Sequence, residues 1–236
     1  MSLVLYNSPD SCGIIIRYTL ERLGLSYADH VIDRAQREHK KDVYLKLNPQ
    51  GLMPVLKDGS LVMYETGAIL LYLADKHPES KIFPGYQSAE RAEALKWLFF
   101  ITSALHADLR IYWYAGQYCA HQNNVPDIRS QMIARALKSF RWIEEYMGSL
   151  THDFIGGQSP GILDYYLAHM VRGAVLYPID QQDFDPEWAE FPAIRKWAAL
   201  MQERPEILQA AKKEFIPTPI LLTPERPDID PARLVG

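Results

Sequence analysis

Residues 48–75 read NPQGLMPVLKDGSLVMYETGAILLYLAD, and this stretch decides the fold. One short apolar run begins at Val55, and a second occupies residues 61–64. Between them stands Asp58-Gly59, a dipeptide favoured in tight hairpin turns because both of its positions tolerate positive φ. The pattern predicts two antiparallel strands joined by a short turn.

The end of the same stretch predicts a helix that begins at Glu65 and Thr66. An acid and a hydroxyl at a helix start stand beside unpaired backbone N–H groups, an arrangement that can hold a carboxylate. Pro54 precedes the first strand, where it removes a backbone donor and permits a cis peptide bond. Both features indicate a ligand site. The apolar residues of this helix fall on one face, at Ile69, Leu70 and Leu73.

The order of these signals resembles the second half of the thioredoxin-like domain of glutathione S-transferases, and the run ETGAILLYLAD is similar to the family pattern. The resemblance implies a cis bond before Pro54 and a backbone at Met53 that pairs with the cysteinyl part of glutathione. It implies that Glu65 and Thr66 hold the γ-glutamyl end. It also implies the glutathione transferase fold, an α/β N-terminal thioredoxin-like domain followed by an all-α C-terminal helical bundle.

The N-terminal residues predict a βαβ unit. An apolar run at residues 3–6 is typical of a buried strand, and residues 27–32 predict a second one. The helix between them has an apolar face and ends at Gly24, a residue that tolerates the left-handed conformation of a helix stop. Because the order is strand, helix, strand, we expect a parallel pair joined by a right-handed crossover.

The loop before this first helix holds the candidate catalytic residues, Ser11 and Cys12. A side chain at a helix start lies at the positive end of the helix dipole, which favours a thiolate or an oxyanion. The motif SPDSC at residues 8–12 resembles the bacterial beta class, whose matching cysteine forms a mixed disulfide with glutathione. It also resembles the serine-using classes, in which a hydroxyl near Ser11 donates a hydrogen bond to the glutathione thiolate.

Asp10 bears on the choice between these two candidates. It places a negative charge two residues from Cys12, which disfavours a stable thiolate there and favours conjugation over thiol exchange. The simplest alternative is that Cys12 is a small buried helix residue without a chemical role. Both Ser11 and Cys12 therefore remain candidates for contact with the glutathione sulfur.

The charge-dense residues 33–47 contain candidates for binding the glycine carboxylate of glutathione, a role that the resemblance implies. They are Arg37, His39 and Lys40, and sequence spacing does not separate them. For most of the charged residues in this segment, a solvated helix face is the simpler interpretation.

In the second half of the chain the apolar period becomes helical and stays so. We expect a thioredoxin-like domain at residues 1–78, a linker at 79–86 and an all-helical domain at 87–215. Residues 216–236 contain five prolines, which exclude a regular helix or a central strand. We therefore expect them to form a tail that lies extended over the surface or is partly disordered.

A cluster of rings in the helical domain predicts a pocket for an apolar or aromatic electrophile. The S-x-L-H motif at residues 103–106 resembles the beta class, in which this histidine faces the electrophile side of the cleft. Ordinary packing of an aromatic stripe is the alternative interpretation. The candidate pocket residues are His106, Tyr112, Trp113 and Tyr114.

Composition argues against several classes of function. The chain has 25 basic and 29 acidic residues, a net charge of −4, so nothing attracts it globally to nucleic acid or to an anionic membrane. It has no apolar run long enough to span a membrane, and its first ten residues lack the pattern of a signal peptide. Cys12 and Cys119 form no disulfide framework, and the seven histidines form no metal-binding motif. We expect a cytoplasmic protein without a metal.

The resemblance implies a glutathione transferase that conjugates the thiolate of its co-substrate, glutathione, to a small hydrophobic electrophile. It also implies a homodimer and a role in detoxification. The first alternative is a glutathione-dependent thiol transferase or disulfide reductase acting through Cys12. The second is a non-catalytic interaction protein of the same fold. Met53-Pro54 and Glu65-Thr66 argue against the second alternative, because a scaffold needs no clamp for a γ-glutamyl group.

Overall fold

A computed structural model describes residues 3–227, and the contacts divide the chain into two units. The first unit contains residues 3–83, 203–220 and 225–227, and the second contains residues 84–202 and 221–224. The expected domain limits near residues 78 and 86 stay predictions. Residues 203–215, however, group with the first unit rather than with the helical domain to which we had assigned them.

The first unit is built on a four-stranded mixed sheet. Its strands are β1 (Leu3–Asn7), β2 (Tyr27–Val31), β3 (Val55–Asp58) and β4 (Leu61–Tyr64), in the spatial order β2-β1-β3-β4. β1 pairs with β2 in parallel, and β3 runs antiparallel to both β1 and β4. The predicted hairpin and the predicted parallel pair are both confirmed. Gly59 adopts a φ of 60° in the turn between β3 and β4, as the Asp-Gly pair requires.

The helices of the described residues account for most of the remaining structure. In the part of the chain that the structure describes, no helix is long and apolar enough to cross a membrane. The α-helices of the described residues are, in chain order, α1 (Gly13–Arg22), α2 (Asp42–Leu45), α3 (Thr66–Lys76), α4 (Ala89–Phe100), α5 (His106–Trp113), α6 (Val125–Ser149), α7 (Ile162–Leu176), α8 (Pro192–Met201) and α9 (Pro205–Lys213).

The core of the first unit forms around α1, which packs against α3 and α9. Residues 13–20 of α1 are buried on every side, because their sequence GIIIRYTL is apolar almost all round. Ile207 and Ala210 of α9 are fully buried, which explains why this helix groups with the first unit. The predicted apolar face of α3 is buried at Ile69, Leu70 and Leu73.

The second unit is helical, as the apolar period predicted, and it contains one isolated bridge between Phe154 and Gly157. Its central helix, α7, is buried along its whole length. Asp164 in the first turn of α7 accepts hydrogen bonds from the backbone N–H of Gly161 at 2.8 Å and from the indole of Trp197 at 2.9 Å. Because a buried carboxylate needs such partners, these contacts define where α7 begins.

The Pro-rich segment after α9 differs in part from the expected surface tail. Residues 216–227 form no helix or strand, as their prolines predicted. Ile216, Ile220 and Leu221 are nevertheless buried, since apolar side chains gain free energy on leaving water. The expectation of a tail lying over the surface is wrong for these three residues. Residues 228–236 lie outside the described residues.

Candidate functional site

Three chain segments meet at one end of the sheet of the first unit. β1 leaves the sheet at Asn7, β3 enters it at Val55, and β4 leaves it at Tyr64. The register pairs Tyr6 with Val55 and Val55 with Tyr64, so the residues just beyond these positions lie side by side. α1 follows β1 after a short loop and α3 follows β4, so both helices begin at this end. Two helix N-termini at one sheet end favour the binding of negative charge.

The loop between β1 and α1 carries Ser11 and Cys12, both partly exposed. Cys12 is the N-cap residue of α1, and its side chain makes no capping hydrogen bond. The Ser11 hydroxyl donates to Oδ1 of Asn7 across 2.6 Å, and the N–H of Gly13 points to the same hydroxyl oxygen at 3.4 Å. A Cβ atom at Gly13 would lie 1.9 Å from the Asn7 amide oxygen. The loop is therefore closed tightly onto the end of β1.

A carboxylate from the far end of the chain anchors this loop. Glu214 follows α9, is 1% exposed, and accepts hydrogen bonds from Asn7 Nδ2 (2.7 Å), the Asp10 N–H (2.8 Å) and Arg17 Nε (2.8 Å). The Arg17 guanidinium also pairs with Asp29 at 2.8 Å. Burial raises the pKa of Glu214 to about 7, against the lowering effect of the neighbouring guanidinium. Buried charges persist when they are paired and hydrogen-bonded, and this network meets that condition.

The residues predicted to hold glutathione lie at the same end of the sheet, and we call Met53, Pro54, Glu65 and Thr66 the clamp. The Met53–Pro54 bond is cis, as the resemblance implied. Thr66 is buried as the first residue of α3, whereas Glu65 is exposed and has a φ of 71°. Non-glycine residues rarely adopt this conformation, and it is frequent at ligand clamps. Gln50 donates from Nε2 to Oε1 of Glu65 at 3.0 Å, so it joins the clamp from the side.

The three basic candidates occupy different environments. Arg37 is exposed. His39 is 4% exposed, its Nδ1 has no hydrogen-bond partner within residues 3–227, and burial together with neighbouring cations lowers its pKa, so it is neutral at pH 7. Lys40 donates from its ammonium group to the carbonyl oxygen of Gly51 at 3.0 Å. Lys40 therefore carries a positive charge that lies against the loop preceding the clamp.

The predicted pocket residues of the second unit follow a break in helical regularity. α4 continues through a π-helical segment, Ile101–Leu105, directly into α5, whose first residue is His106. Such π segments are frequent at functional sites. Nδ1 of His106 lies 2.8 Å from the Tyr166 hydroxyl, and its ring centroid lies 6.0 Å from that of Trp113. Burial, with a smaller contribution from two basic neighbours, lowers the pKa of His106 to about 3, so its imidazole is neutral at pH 7.

The remaining ring-bearing candidates separate into core and partly exposed residues. Tyr112 is 0% exposed, and its hydroxyl donates to Asp183 across 2.7 Å. It is a core residue rather than a pocket residue, because the ring density at this position serves packing. Trp113 and Tyr114 are partly exposed. A Cβ atom at Gly173 would lie 2.7 Å from Cζ2 of Trp113, so the indole depends on a glycine at that position.

A family model matches the segment that contains the loop and the clamp. It is described as "Glutathione S-transferase, N-terminal domain", and it matches residues 1–75. Residues 1–75 of the chain therefore carry the N-terminal domain of the glutathione S-transferase family. The family predicted from residues 48–75 is thereby confirmed.

Curated relatives match most of the chain at low identity. Glutathione S-transferase 1 of Dianthus caryophyllus is 26% identical over 80% of this chain and 81% of its own length. The probable maleylacetoacetate isomerase of Vibrio cholerae is 27% identical over 89% and 96% of the two chains. The disulfide-bond oxidoreductase YfcG of Escherichia coli is 26% identical over 89% and 94%. Because these names describe three kinds of reaction, the similarity does not assign the class.

Solved transferase structures share the fold. Glutathione transferase URE2P6 of Phanerochaete chrysosporium, in complex with oxidised glutathione, is 25% identical with a TM-score of 0.76, covering 90% of this chain and 96% of its own. A glutathione transferase of Methylococcus capsulatus has a TM-score of 0.76 at 24% identity, covering 90% and 98% of the two chains. The predicted fold class is confirmed.

The sequence predicts the loop and the clamp as the candidate site, but it does not predict the residues that support them. The structure brings the loop and the clamp to one end of the sheet, and the roles assigned to their residues stay predictions. Asn7, Gln50 and Glu214 were missed. Glu214 stands in the run KKEF, which has the charge pattern of a solvated helix end, so no sequence signal marks it as buried. Among residues 3–227, no group of three or more His, Cys, Asp or Glu side chains is arranged to hold a metal ion.

Proposed function

We propose that this protein is a glutathione transferase that adds the thiolate of glutathione to an apolar electrophile. The observation that carries the proposal is the convergence, at one sheet end, of the loop with Ser11 and Cys12, the clamp and two helix N-termini. The helix dipoles and unpaired N–H groups at this end of the sheet favour the binding of a tripeptide that has two carboxylates and one thiol. The fold alone would not support this function, because the same fold serves other tasks.

Each part of glutathione has a candidate partner in the first unit. The Met53 backbone would pair with the cysteinyl part, and Glu65 and Thr66 would hold the amine and carboxylate of the γ-glutamyl end. The ammonium group of Lys40 supports its role toward the glycine carboxylate, since the neutral His39 lacks the charge and Arg37 makes no contact with this loop in the hydrogen bonds described.

The chemical task of the enzyme is to favour the thiolate and to hold the electrophile. The N-terminus of α1 favours a negative sulfur beside Ser11 and Cys12. The sulfur then forms a bond to the electrophilic carbon, and the leaving group departs with its electron pair, or the electrons pass into an adjacent unsaturated bond. Trp113 and His106 stay the residues that we propose for binding the electrophile, so Trp113→Ala should raise the KM for the electrophile and leave the affinity for glutathione unchanged.

Thiol exchange through Cys12 is the second candidate function. Cys12 occupies the N-cap position, is partly exposed and makes no capping bond, which are properties of reactive cysteines at helix starts. Its thiolate would attack glutathione disulfide, form a mixed disulfide and release one glutathione thiolate. Asp10 opposes this reaction by charge. We therefore place conjugation first.

Calorimetric titration with glutathione tests the proposed function. Glu65→Ala should weaken binding by about 1–3 kcal/mol, the usual effect of losing a charged hydrogen-bond partner. Glu145→Ala, which removes an exposed acid from α6, is the matched control and should leave the affinity unchanged. Absence of binding by the unmodified protein would sink the proposal, and equal affinities of the two variants would remove Glu65 from the site.

Activity assays then separate the two chemistries. An aryl halide reports conjugation, and a mixed glutathione disulfide reports thiol exchange. Cys12→Ala should abolish exchange if Cys12 acts covalently, and conjugation should survive. Activity with the mixed disulfide alone would reverse the order of the two candidates.

The proposal also includes the oligomeric state of the protein and its cellular compartment, both of which the family resemblance suggests. We propose a cytoplasmic homodimer acting in detoxification, because the family resemblance implies paired subunits and the net charge of −4 offers no general attraction to membranes. Light scattering at micromolar concentration should give twice the chain mass of 27.1 kDa. A mass of one chain would contradict the dimer without touching the glutathione site.

A further inference from the structure

The polar residues of α5 divide between a buried face and a partly exposed face. Asp108 and Tyr112 are buried and bonded to neighbouring elements: Asp108 accepts from Arg135 at 2.9 Å, and Tyr112 donates to Asp183 at 2.7 Å. Arg110 lies two residues from each of them, so its side chain leaves the helix on another face. The acid nearest to Arg110 in sequence is therefore turned away from it and already paired.

Arg110 shares its face of α5 with two of the predicted pocket residues. His106 precedes it by four positions and Trp113 follows it by three, which are the spacings of side chains that meet on a helix surface. All three are partly exposed, and the ring centroids of His106 and Trp113 lie 6.0 Å apart. The lowered pKa of His106 has burial as its largest cause, followed by the charges of His169 and Arg110. The guanidinium of Arg110 therefore lies close enough to this imidazole for its charge to act on it.

Two tyrosines orient Arg110 without neutralising it. Its Nε donates to the Tyr118 hydroxyl at 3.0 Å, and its guanidinium carbon lies 5.7 Å from the centroid of the Tyr114 ring. In the part of the chain that the structure describes, no carboxylate forms an ion pair with this guanidinium. Other arginines of the second unit do have such a partner, as Arg129 has Asp180 at 3.0 Å. The charge of Arg110 is thus held in place but is not balanced by a described acid.

The shape of the guanidinium indicates which group would balance this charge. Its Nε is bonded to Tyr118, and its two terminal nitrogens, Nη1 and Nη2, make no hydrogen bond to the described residues. Two parallel N–H donors in one plane match the two oxygens of a carboxylate. A single cation balances the one charge of a carboxylate, whereas a phosphate monoester carries more than one.

We propose that Arg110 binds a carboxylate of the electrophile, so that the substrates of this protein are apolar or aromatic electrophiles that carry one carboxylate. The proposal rests on the proposed function, because it names the class of electrophile that the conjugation reaction uses. The apolar part of such a molecule would pack against Trp113. Arg110 is then a specificity-determining residue, since it binds the substrate at a group that does not react. Such a contact is the same before and during bond formation, so it lowers KM and leaves kcat unchanged.

A matched pair of aryl halides tests the proposal. 4-Chloro-3-nitrobenzoate and its methyl ester present the same reacting carbon and differ in the charge of the group para to it. With glutathione saturating, the unmodified full-length protein should have a KM for the benzoate about 10- to 100-fold below that for the ester, the effect expected of a charged hydrogen-bond partner. Each rate is divided by that of the uncatalysed reaction, because the ester group activates the ring more strongly than the carboxylate does.

Variants at Arg110 assign the effect to this side chain. Arg110→Met keeps an unbranched side chain and removes the charge, so it should raise the KM for the benzoate about 10- to 100-fold and leave the KM and kcat for the ester unchanged. A merely structural role would change the constants for both probes. Arg110→Lys should restore part of the affinity for the benzoate, because a lysine keeps the charge and loses the planar fork. Arg141→Met, which removes an exposed arginine from α6, is the matched control and should leave all these constants unchanged.

Calorimetry separates this inference from the proposed function. Unreactive 3-nitrobenzoate should bind to the unmodified protein, and Arg110→Met should weaken its binding by the same factor. Absence of that binding overturns the inference whether or not the two halides react. Absence of glutathione binding overturns the proposed function, and the titration with 3-nitrobenzoate then decides on the Arg110 site by itself.

The kinetic outcomes also decide. Equal KM values for the benzoate and the ester in the unmodified protein, or an unchanged KM for the benzoate in Arg110→Met, overturn the inference and leave glutathione conjugation intact. If Arg110→Met does not fold, the comparison of the two probes on the unmodified protein still decides, because it needs no change at Arg110.

Discussion

The loop at residues 7–13 and the helical segment at residues 101–113 hold their candidate functional groups by different means. The loop is held by a buried carboxylate, a guanidinium and an amide. The ring-bearing groups of the segment are held by packed rings and by hydrogen bonds of His106 to Tyr166 and of Tyr112 to Asp183. The loop is destabilised when a buried charge loses its partner, whereas the segment is destabilised when the volume of a packed side chain changes. The two regions should therefore respond to different kinds of substitution.

The loop depends on a part of the chain that is more distant in sequence than the partners of the segment, since His106 meets Tyr166 across 60 positions. Glu214 reaches Asn7 across 207 positions, and the three donors that meet its carboxylate come from a strand, a loop and a helix. His106 and Trp113 belong to the same helix. Pairing of buried charges gives the loop one geometry, while the rings that α5 packs against α7 can repack with a smaller cost.

The largest effect is expected when the buried ion pair of the loop is broken. Arg17→Ala should lower the free energy of unfolding by about 3–5 kcal/mol, because it leaves the carboxylate of Glu214 buried without its cation. Arg195→Ala is the control: its ion pair with Glu187 is solvent-exposed, so the loss should be at most about 1 kcal/mol. Urea unfolding with unchanged m-values measures both. Equal losses in the two variants would show that burial adds nothing to the pair.

Lowering the pH should destabilise the protein through His106 of the segment. The folded pKa of His106, about 3, lies below its ordinary value of 6.5, so the unfolded chain binds a proton first as the pH falls. Stability is therefore complete above the unfolded pKa and is lost as the pH drops toward the folded one. Between about pH 7 and about pH 4 the loss from this residue is at most about 3 kcal/mol, since partial exposure reduces it.

His106→Gln isolates that contribution, because the amide can still bond to the Tyr166 hydroxyl and does not titrate. The variant should lose less stability than the unmodified protein over the same pH interval, as measured by urea unfolding at each pH. Parallel pH curves for the two proteins would show that His106 titrates normally in the folded state. Histidines that do not interact with His106 contribute equally to both curves and cancel.

At neutral pH, a substitution that adds side-chain volume should destabilise the segment more than one that changes charge. Gly173→Ala places a Cβ atom 2.7 Å from the Trp113 ring, so we expect a loss of about 1–3 kcal/mol and a displaced indole. Gly148→Ala in α6 is the matched control, because nothing lies within 4 Å of its Cβ position. That change should stabilise the protein by about 0.5–1 kcal/mol through helix propensity. A neutral Gly173→Ala would mean that Trp113 moves without cost.

The same contrast explains what could be predicted from the sequence. The hairpin and the helix start at residues 55–66 follow from local chemistry, since Asp58-Gly59 sets the turn and the apolar periods change within a few residues. The parallel pairing of β1 with β2 follows from the handedness of βαβ units. These elements were found because their causes lie within short stretches of chain.

Long-range partners could not be predicted in this way. Glu214 has the local pattern of a solvated acid, and only the folded chain brings Asn7, Asp10 and Arg17 around it. Tyr112 shows the opposite error, because a stripe of rings has the same sequence pattern in a core as in a pocket. In both cases burial decides the role, and burial depends on what the rest of the chain places nearby.

The smallest effect concerns the exposed edge of the site, where Gln50 donates to Glu65. This hydrogen bond is solvent-exposed, so Gln50→Ala should change the free energy of unfolding by no more than about 0.5 kcal/mol. Its effect on glutathione should be larger than its effect on folding. By holding the Glu65 carboxylate in one rotamer, Gln50 reduces the side-chain entropy that binding would otherwise have to remove.

We expect Gln50→Ala to weaken glutathione binding by about 0.5–1 kcal/mol, less than Glu65→Ala, and the double variant to bind no more weakly than Glu65→Ala alone. The reason is that Gln50 acts through Glu65, so its contribution vanishes once that carboxylate is removed. Calorimetry on the three variants measures the cycle. Additive losses would mean that Gln50 contacts glutathione itself, and the exposed edge would then contribute to recognition directly rather than by orienting the clamp.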